Sequence, residues 1–274
     1  MSESSGFVKF LYGNTIGRAL LKVIMKLRLD RIAVRFLRST CSKLVIRGYA
    51  KRNGISLTEE ECKSFGSFRD FFVREREALP IDMEDGHLIS PCDSLLSAFE
   101  INEDSCFAIK NSHYRVTDFL QDDELAKKYQ NGTCLVFRLC ASDYHHYCYI
   151  DDGYQGENHY IAGVLHSVQP IACETFPIYV LNKRCWSLLN TKNFGAVVQC
   201  EIGALVVGGI VNEKENADFL KGEEKGRFEL AGSTIVLLFE DGKIELNQNI
   251  KDMLTQSDEV RVKQGEWIGE NIHS

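Results

Sequence analysis

A serine that directly follows a glycine inside an apolar run carries the most informative chemistry of this 274-residue chain. Ser233 follows Gly232, and residues 235–239 form a buried-type run that is typical of a β-strand. The small residues from Ala231 to Ser233 predict a bulge in a strand that begins at Leu230. The Ser233 hydroxyl can attack the carbonyl carbon of Gly232, because glycine has no hindering Cβ and tolerates a strained backbone. A plain loop turn is the alternative interpretation.

A cluster of histidine and cysteine supplies candidate bases. The sequence Asp-Tyr-His-His-Tyr-Cys occupies residues 143–148, after a predicted strand at residues 136–139. A zinc site is one interpretation, but adjacent histidines on a strand point to opposite faces and no second paired cluster occurs, so we predict no metal. A tyrosine-rich core strand is another. A catalytic histidine is the third, since imidazole is the best proton shuttle at neutral pH.

Several stretches of the sequence resemble the phosphatidylserine decarboxylase family. Residues 65–74 match the pattern F-x-S-F-x-D-F-F-x-R, residues 90–94 resemble S-P-x-D-G, residues 143–148 resemble D-Y-H-R-x-H, and residues 265–269 resemble a closing G-E-x-I-G. Residues 225–235 resemble the region in which this family is cut between Gly and Ser. The resemblance extends from about residue 65 to residue 270.

The resemblance implies a proenzyme that cleaves itself between Gly232 and Ser233. The products are a β chain of residues 1–232 and an α chain of residues 233–274. Ser233 is converted to a covalent pyruvoyl group, which is the cofactor. Its ketone forms a Schiff base with the amine of phosphatidylserine and promotes the loss of CO₂ that yields phosphatidylethanolamine.

The resemblance also assigns catalytic residues, with one departure from the family pattern. Asp93 belongs to the self-cleavage triad, and His145 matches the first family histidine, which serves decarboxylation. The second histidine, the base of the triad, is replaced by Cys148. We therefore expect His145, held by Asp93, to deprotonate Ser233. The other candidate bases are His166, His146 and the Cys148 thiolate.

The N-terminal region has a charge opposite to that of the rest of the chain. Residues 1–52 contain 12 Lys or Arg and two acids, a balance of +10, whereas the remainder has a balance of −17. Arg18, Lys22 and Lys26 recur at helical spacing, with apolar residues on the opposite side. A basic amphipathic helix suits an anionic membrane surface, and an ordinary helix packed on the core is the alternative. The segment lacks the aromatic interleaving of a nucleic-acid-binding helix, so we expect no nucleic acid.

Composition restricts the cellular setting. No run of 18 apolar residues predicts a transmembrane helix, and the first residues lack the pattern of a signal peptide. The ten cysteines show no C-x-x-C spacing, which favours reduced thiols in the cytosol. These features predict a peripheral protein on the cytoplasmic face of a membrane.

We expect an α+β fold, with basic amphipathic helices in residues 1–78 and a β-rich catalytic domain of mixed or antiparallel sheets in residues 79–274. Phosphatidylserine and an anionic membrane surface are the expected partners, the α and β chains stay together, and a homodimer remains open. Other functions also remain open. The chain could be a serine hydrolase, although it lacks a G-x-S-x-G elbow. It could also be a pyruvoyl decarboxylase of a soluble amino acid, or a non-catalytic membrane-binding homologue.

Overall fold

The first third of the chain is helical. The computed structural model describes residues 6–27, 29–77, 80–109, 112–164, 166–204, 209–230 and 232–272. The early helices are α1 (Gly6–Gly13), α2 (Thr15–Lys26), α3 (Leu29–Leu37), α4 (Lys43–Arg52), α5 (Glu59–Ser64) and α6 (Phe68–Phe72), with a 3₁₀ turn at Thr40–Ser42. The later ones are α7 (Val116–Leu120), α8 (Asp123–Lys127), α9 (Pro170–Thr175), α10 (Ile178–Leu181) and α11 (Gln248–Gln256). The predicted N-terminal helices are therefore confirmed.

Local sequence signals explain where the short helices begin. Thr58 caps α5, since its side chain accepts from the amide of Glu61 while the Glu61 carboxylate accepts from the amide of Thr58. Ser67 caps α6 by accepting from the amide of Asp70 at 3.2 Å. These caps satisfy amides that the first turn of a helix leaves without partners.

Strands dominate the rest of the chain. They are β1 (His87–Ile89), β2 (Ser94–Glu100), β3 (Cys106–Ile109), β4 (Ser112–Arg115), β5 (Thr133–Leu139), β6 (His146–Cys148), β7 (Gly153–Gln155), β8 (His159–Ile161), β9 (Arg184–Thr191), β10 (Gly195–Gly203), β11 (Ile210–Asn212), β12 (Ala217–Phe219), β13 (Glu224–Phe228), β14 (Ser233–Phe239), β15 (Ile244–Leu246), β16 (Val260–Val262) and β17 (Trp267–Asn271). The chain thus has the α+β fold expected from its sequence.

One large antiparallel sheet places β14 near its centre. Its order is β12-β7-β9-β10-β14-β5-β2-β16, with β8 also paired to β9. A smaller sheet has the order β11-β13-β6, and its central strand β13 is the last strand before Ser233 in the chain. Every residue of β14 is buried, which explains its continuous apolar run, because a central strand covered on both faces has no solvent side.

The start of β14 differs from the predicted bulged strand. Leu230 is not in a strand, since β13 ends at Phe228 and β14 begins at Ser233. The Leu230 side chain instead packs with Phe68 and Phe72 in a cluster formed by α4 and α6. The prediction was wrong because the apolar pattern of the segment cannot distinguish burial in a sheet from burial against distant helices.

The Asp-Gly pair at residues 241–242 is typical of a β-hairpin, but the strands on its two sides do not pair with each other. The turn is present, but β14 pairs with β10 and β5, whereas β15 pairs with β17 in a separate sheet that also contains β1. The chain therefore changes sheets at this turn. An Asp-Gly turn specifies a local reversal of the chain and does not fix which strands pair on either side.

The N-terminal helices contact the sheet as well as solvent. Val8, Leu11, Tyr12 and Leu21 join the same apolar core as the large sheet. The expected boundary between residues 78 and 79 lies outside the described residues. Within the described part of the chain, no helix combines the length and apolar character needed to cross a membrane. All ten cysteines lie in this part, and none of them is in a disulfide there.

Candidate functional site

Ser233 begins the central strand and is fully buried. It is paired with Gly203 of β10 on one side and with Leu139 of β5 on the other. Its side chain has no exposure to solvent. The ladder on both sides fixes the backbone of Ser233, so the sheet sets the face to which its side chain points.

Gly232 has a backbone conformation that favours glycine. Its φ angle is +73°, in the left-handed region that side chains with a Cβ rarely adopt. Space is available for a Cβ, since the nearest atoms would be Cβ of Ala204 at 3.5 Å and Cγ2 of Val168 at 3.8 Å. Glycine is therefore required by the turn into β14 and not by crowding.

His145 faces the Ser233 hydroxyl. It ends the loop between β5 and β6, and its Nδ1 lies 3.1 Å from Ser233 Oγ. Its Nε2 lies 3.1 Å from the carbonyl oxygen of Cys140. A carbonyl oxygen only accepts, so Nε2 carries the proton and Nδ1 is free to accept from Ser233. This tautomer gives the histidine the role of a base toward the serine.

The surroundings keep His145 neutral. The residue is 1% exposed, and the Phe72 ring lies over the imidazole with a centroid distance of 4.3 Å. Burial lowers the pKa of His145 to about 3, because a low-dielectric site disfavours the imidazolium. The proton-accepting form therefore predominates at neutral pH.

Asp93 does not hold His145 as expected, because other groups occupy its carboxylate. Arg76 donates to it at 2.6 and 3.2 Å, and the amide of Gln264 donates at 3.0 Å. Burial would raise the pKa of Asp93, but the hydrogen bonds from Arg76 and Gln264 lower it below its ordinary value. Asp93 is close enough to favour the imidazolium through its charge, while the Cys140 carbonyl orients the ring.

The loop that carries His145 is held by a residue whose role was missed. The Asp143 carboxylate accepts from the Cys140 amide at 2.7 Å and from Arg261 at 2.9 Å. At the other end, the carbonyl of His145 accepts from the amide of Phe228 at 3.0 Å. Asp143 precedes the histidine pair in the motif, and an Asp at the start of a tight loop is the signal that could have identified it.

The other candidate bases are engaged elsewhere. His146 contacts Glu224 through Nδ1 at 2.9 Å and the Val73 carbonyl through Nε2 at 3.2 Å. His166 Nδ1 lies 3.2 Å from the Tyr12 hydroxyl, and burial lowers its pKa. Burial raises the pKa of Cys148 to about 12, so the side chain is a thiol and not a base at neutral pH. Ser233 and His145 are thus the predicted pair that the fold brings into contact.

Metal ligation has no support in the side-chain geometry. Among the residues that the structure describes, no group of three or more His, Cys, Asp or Glu side chains is arranged to hold a metal ion. The site instead combines a buried hydroxyl, a neutral imidazole and a left-handed glycine, which together suit attack of the hydroxyl on the preceding peptide bond.

Comparison with known proteins agrees with this chemistry. A family model described as phosphatidylserine decarboxylase matches residues 68–270. A phosphatidylserine decarboxylase proenzyme 2 from Clostridium acetobutylicum is 43% identical over 269 residues, covering 97% of this chain and 92% of the relative.

Two further relatives extend over a similar length. Phosphatidylserine decarboxylase proenzymes from Clostridium beijerinckii and Clostridium botulinum are 36% and 33% identical over 274 residues, covering 97% of this chain and 93% of each relative. The matched region contains Ser233, His145 and the whole of the large sheet. The chain therefore belongs to the phosphatidylserine decarboxylase family.

Proposed function

We propose that this chain is a proenzyme that cuts its own backbone between Gly232 and Ser233 and then decarboxylates phosphatidylserine to phosphatidylethanolamine. The observation that carries the proposal is the 3.1 Å contact between Ser233 Oγ and Nδ1 of a buried, neutral His145. The left-handed Gly232 directly before the serine supports the same site for cleavage.

The first step transfers the acyl group of Gly232 from nitrogen to oxygen. The Ser233 hydroxyl gives its proton to Nδ1 of His145, and Oγ bonds to the carbonyl carbon of Gly232. The C–N bond between the two residues breaks, and the proton on Nδ1 passes to the leaving amine. An ester now joins the residues. The low pKa of His145 favours prompt return of the proton, because the buried imidazolium is unstable.

The second step separates the chains by elimination. Residue 233 loses its Cα proton, and the Gly232 carboxylate leaves from its Cβ, so that a dehydroalanine begins the α chain. Water replaces the nitrogen of this residue, which departs as ammonia, and a pyruvoyl group remains. The α and β chains stay together because β14 is hydrogen-bonded between β10 and β5.

The residues around position 233 fit a pyruvoyl group. When formed, that group supplies a ketone that condenses with the substrate amine and draws electrons from the carbon that carries the carboxylate. The full burial of Ser233 and the Phe72 ring over His145 keep bulk solvent away from this position in the uncut chain. His145 Nδ1 faces residue 233 and can pass on the proton that must be returned after CO₂ leaves.

The exposed residues of the N-terminal helices suit docking of the protein on an anionic phospholipid bilayer. Leu21 and Ile24 of α2 pack on the core. Large apolar residues that are exposed on α2, just after it and on α3 include Ile16, Leu20, Val23, Leu27, Ile32 and Phe36. Ile16 is 76% exposed, and the four residues from α2 and its C-terminal end share one stripe by their spacing. Because residues 1–52 carry a balance of +10, this surface complements a bilayer that contains phosphatidylserine on its cytoplasmic face.

A decarboxylation assay tests the proposed activity. The purified chain is incubated with vesicles of phosphatidylserine and phosphatidylcholine, with free serine, and with a carboxylic ester, and Ser233→Ala is the control. We expect CO₂ and phosphatidylethanolamine from the vesicles alone, and neither from Ser233→Ala.

Three results would overturn the proposal. Release of CO₂ from free serine but not from vesicles would indicate a decarboxylase of a soluble amino acid. Ester hydrolysis by an uncut chain would indicate a serine hydrolase. Vesicle binding by an uncut chain that releases no CO₂ would indicate a non-catalytic homologue.

A further inference from the structure

The short helix α6 contacts both the segment before the proposed cleavage site and the histidine that acts as its base. Arg69 binds Glu229, in the segment that leads to Gly232, and Phe72 lies on His145. These two residues are one helical turn apart. We propose that α6 positions the self-cleavage site, with Arg69 fixing the segment before the scissile bond and Phe72 fixing the base. This inference rests on the proposed self-cleavage.

Glu229 is held by two arginines from separate helical elements. Arg69 donates from Nε to Oε1 at 3.1 Å, and one of its terminal nitrogens contacts the same oxygen. Arg38, just after α3, donates to Oε2 at 2.5 Å. The Glu229 side chain is only 11% exposed. A buried carboxylate is fixed in direction when each of its oxygens binds a different guanidinium group, as the Glu229 oxygens do.

The backbone around Glu229 is fixed as well. Its amide donates to the carbonyl of Gly209 at 3.0 Å. A Cβ on Gly209 would lie 2.6 Å from the Glu229 carboxylate, so the carboxylate lies directly against this backbone. Leu230 is fully buried against Phe68 and Phe72. The segment before Gly232 is therefore fixed by charge at one residue and by packing at the next.

Anchors on both sides of Gly232 favour its left-handed conformation. Glu229 and Leu230 are anchored to α6 on one side, and Ser233 is fixed in β14 on the other. With the chain fixed at both ends, the peptide between Gly232 and Ser233 has few orientations. Attack by the Ser233 hydroxyl needs one of them, and preorganisation of this kind lowers the barrier to reaction.

His145 is connected to α6 through Phe72 and to the segment before the scissile bond through Phe228. The Phe72 ring is tilted by 35° from the imidazole plane, and Phe72 is 3% exposed. The amide of Phe228, the neighbour of Glu229, donates to the carbonyl of His145. A shift of α6 would thus move the base and the scissile bond relative to each other.

The test measures the rate of self-cleavage in freshly synthesised protein. The variants are Glu229→Gln, Arg69→Gln, the double variant and Arg69→Lys. Arg47→Gln is the matched control, because Arg47 forms a salt bridge with Glu59 between α4 and α5 in which both side chains are exposed. Chain synthesis is stopped, and the cut fraction is followed over time on a denaturing gel, with a melting temperature recorded for each variant.

Glu229→Gln and Arg69→Gln should each slow cleavage by about tenfold or more, because small misplacements of reacting groups have effects of this size. The double variant should be no slower than the slower single one, because both changes break the same contact. Arg69→Lys should recover part of the rate, and Arg47→Gln should cleave at the wild-type rate. A purely structural role of the contact would lower the melting temperature without this pattern of rates.

The outcomes separate this inference from the proposed function. If the wild-type chain stays uncut, self-cleavage itself is wrong. If the wild type is cut and the folded Glu229→Gln and Arg69→Gln variants are cut equally fast, only the role of α6 is wrong. If those two variants fail to fold, Arg69→Lys, which keeps the positive charge on α6 but changes the geometry of its contact with Glu229, decides the question. A rate lowered about threefold supports the contact, and an unchanged rate contradicts it.

Discussion

The outer side of α2 and the start of β14 differ in what their polar and apolar side chains contact. On α2, apolar residues such as Ile16 are exposed, and Arg18 and Lys22 lie on another side of the same helix. At β14, a hydroxyl and an imidazole are buried under an aromatic ring. The first arrangement suits contact with a charged lipid surface, and the second suits proton transfer without water. The contrast favours the proposed function, in which lipid contact and chemistry would use separate parts of the molecule.

The strongest test of this division compares two adjacent histidines. His145→Gln should slow self-cleavage by about 100-fold or more, which is the usual contribution of a general base. His146→Gln should change the rate by less than about threefold, because His146 binds Glu224 and a backbone carbonyl. The cut fraction is measured over time on a denaturing gel. Equal effects of the two substitutions would contradict the assignment of His145 as the base for self-cleavage.

The proposed contact with lipid is tested by removing charge from α2. The triple variant Arg18→Gln, Lys22→Gln and Lys26→Gln should bind phosphatidylserine vesicles on the order of 100-fold more weakly, since each cation contributes about 1 kcal/mol. A matched triple variant, Lys127→Gln, Lys128→Gln and Lys192→Gln, removes three exposed charges elsewhere. It should bind nearly as well as the wild type in vesicle sedimentation. Equal losses would show that total charge, and not the α2 surface, sets the affinity.

Burial of His145 should be visible in the pH dependence of stability. Its pKa is lowered to about 3, so between this value and about 6.5, the ordinary histidine value, the unfolded chain binds a proton that the folded chain does not. The stabilisation is therefore present above pH 6.5 and is lost as the pH falls. From pH 6.5 to 5 the loss should be about 2 kcal/mol.

Denaturant unfolding at each pH measures the free energy of unfolding of the wild type and of His145→Gln. The variant should lose less stability over the same range, because it lacks the titrating group while the other groups of the protein are unchanged. Parallel curves for the two proteins would mean that His145 is not buried in its neutral form.

The smallest effect is expected at Cys148, where the family pattern has a histidine. Cys148→Ala should be cleaved within about twofold of the wild-type rate, because a thiol with a strongly raised pKa does not accept protons. The same cleavage time course measures it. A tenfold loss in a folded variant would place this side chain in the path of the proton.

Local patterns in the sequence were sufficient for the helices and for the position of Ser233. The spacing of Arg18, Lys22 and Lys26 predicted α2, and the apolar residues after Ser233 predicted β14, because periodicity reports directly which side chains are buried. Leu21 of α2 packs on the core while Ile16 is exposed, and the membrane interpretation of this helix stays a prediction.

Contacts between distant segments were not predictable from these patterns. Asp93 was expected to bind His145, but the Asp93 carboxylate instead accepts hydrogen bonds from Arg76 and from the amide of Gln264. Glu229 received no role, because nothing near it in sequence identifies Arg38 and Arg69 as its partners. Long side chains from remote helices meet only after the sheet and the helices have packed, and a single sequence does not record that geometry.

The central claim is that the Ser233 hydroxyl cuts the chain, and intact mass tests it most directly. The wild-type protein should give two fragments that divide after Gly232. The small fragment should be blocked to N-terminal sequencing and should react with a carbonyl reagent. Ser233→Ala should remain whole. A wild-type chain that stays at 31.1 kDa after long incubation would contradict the account.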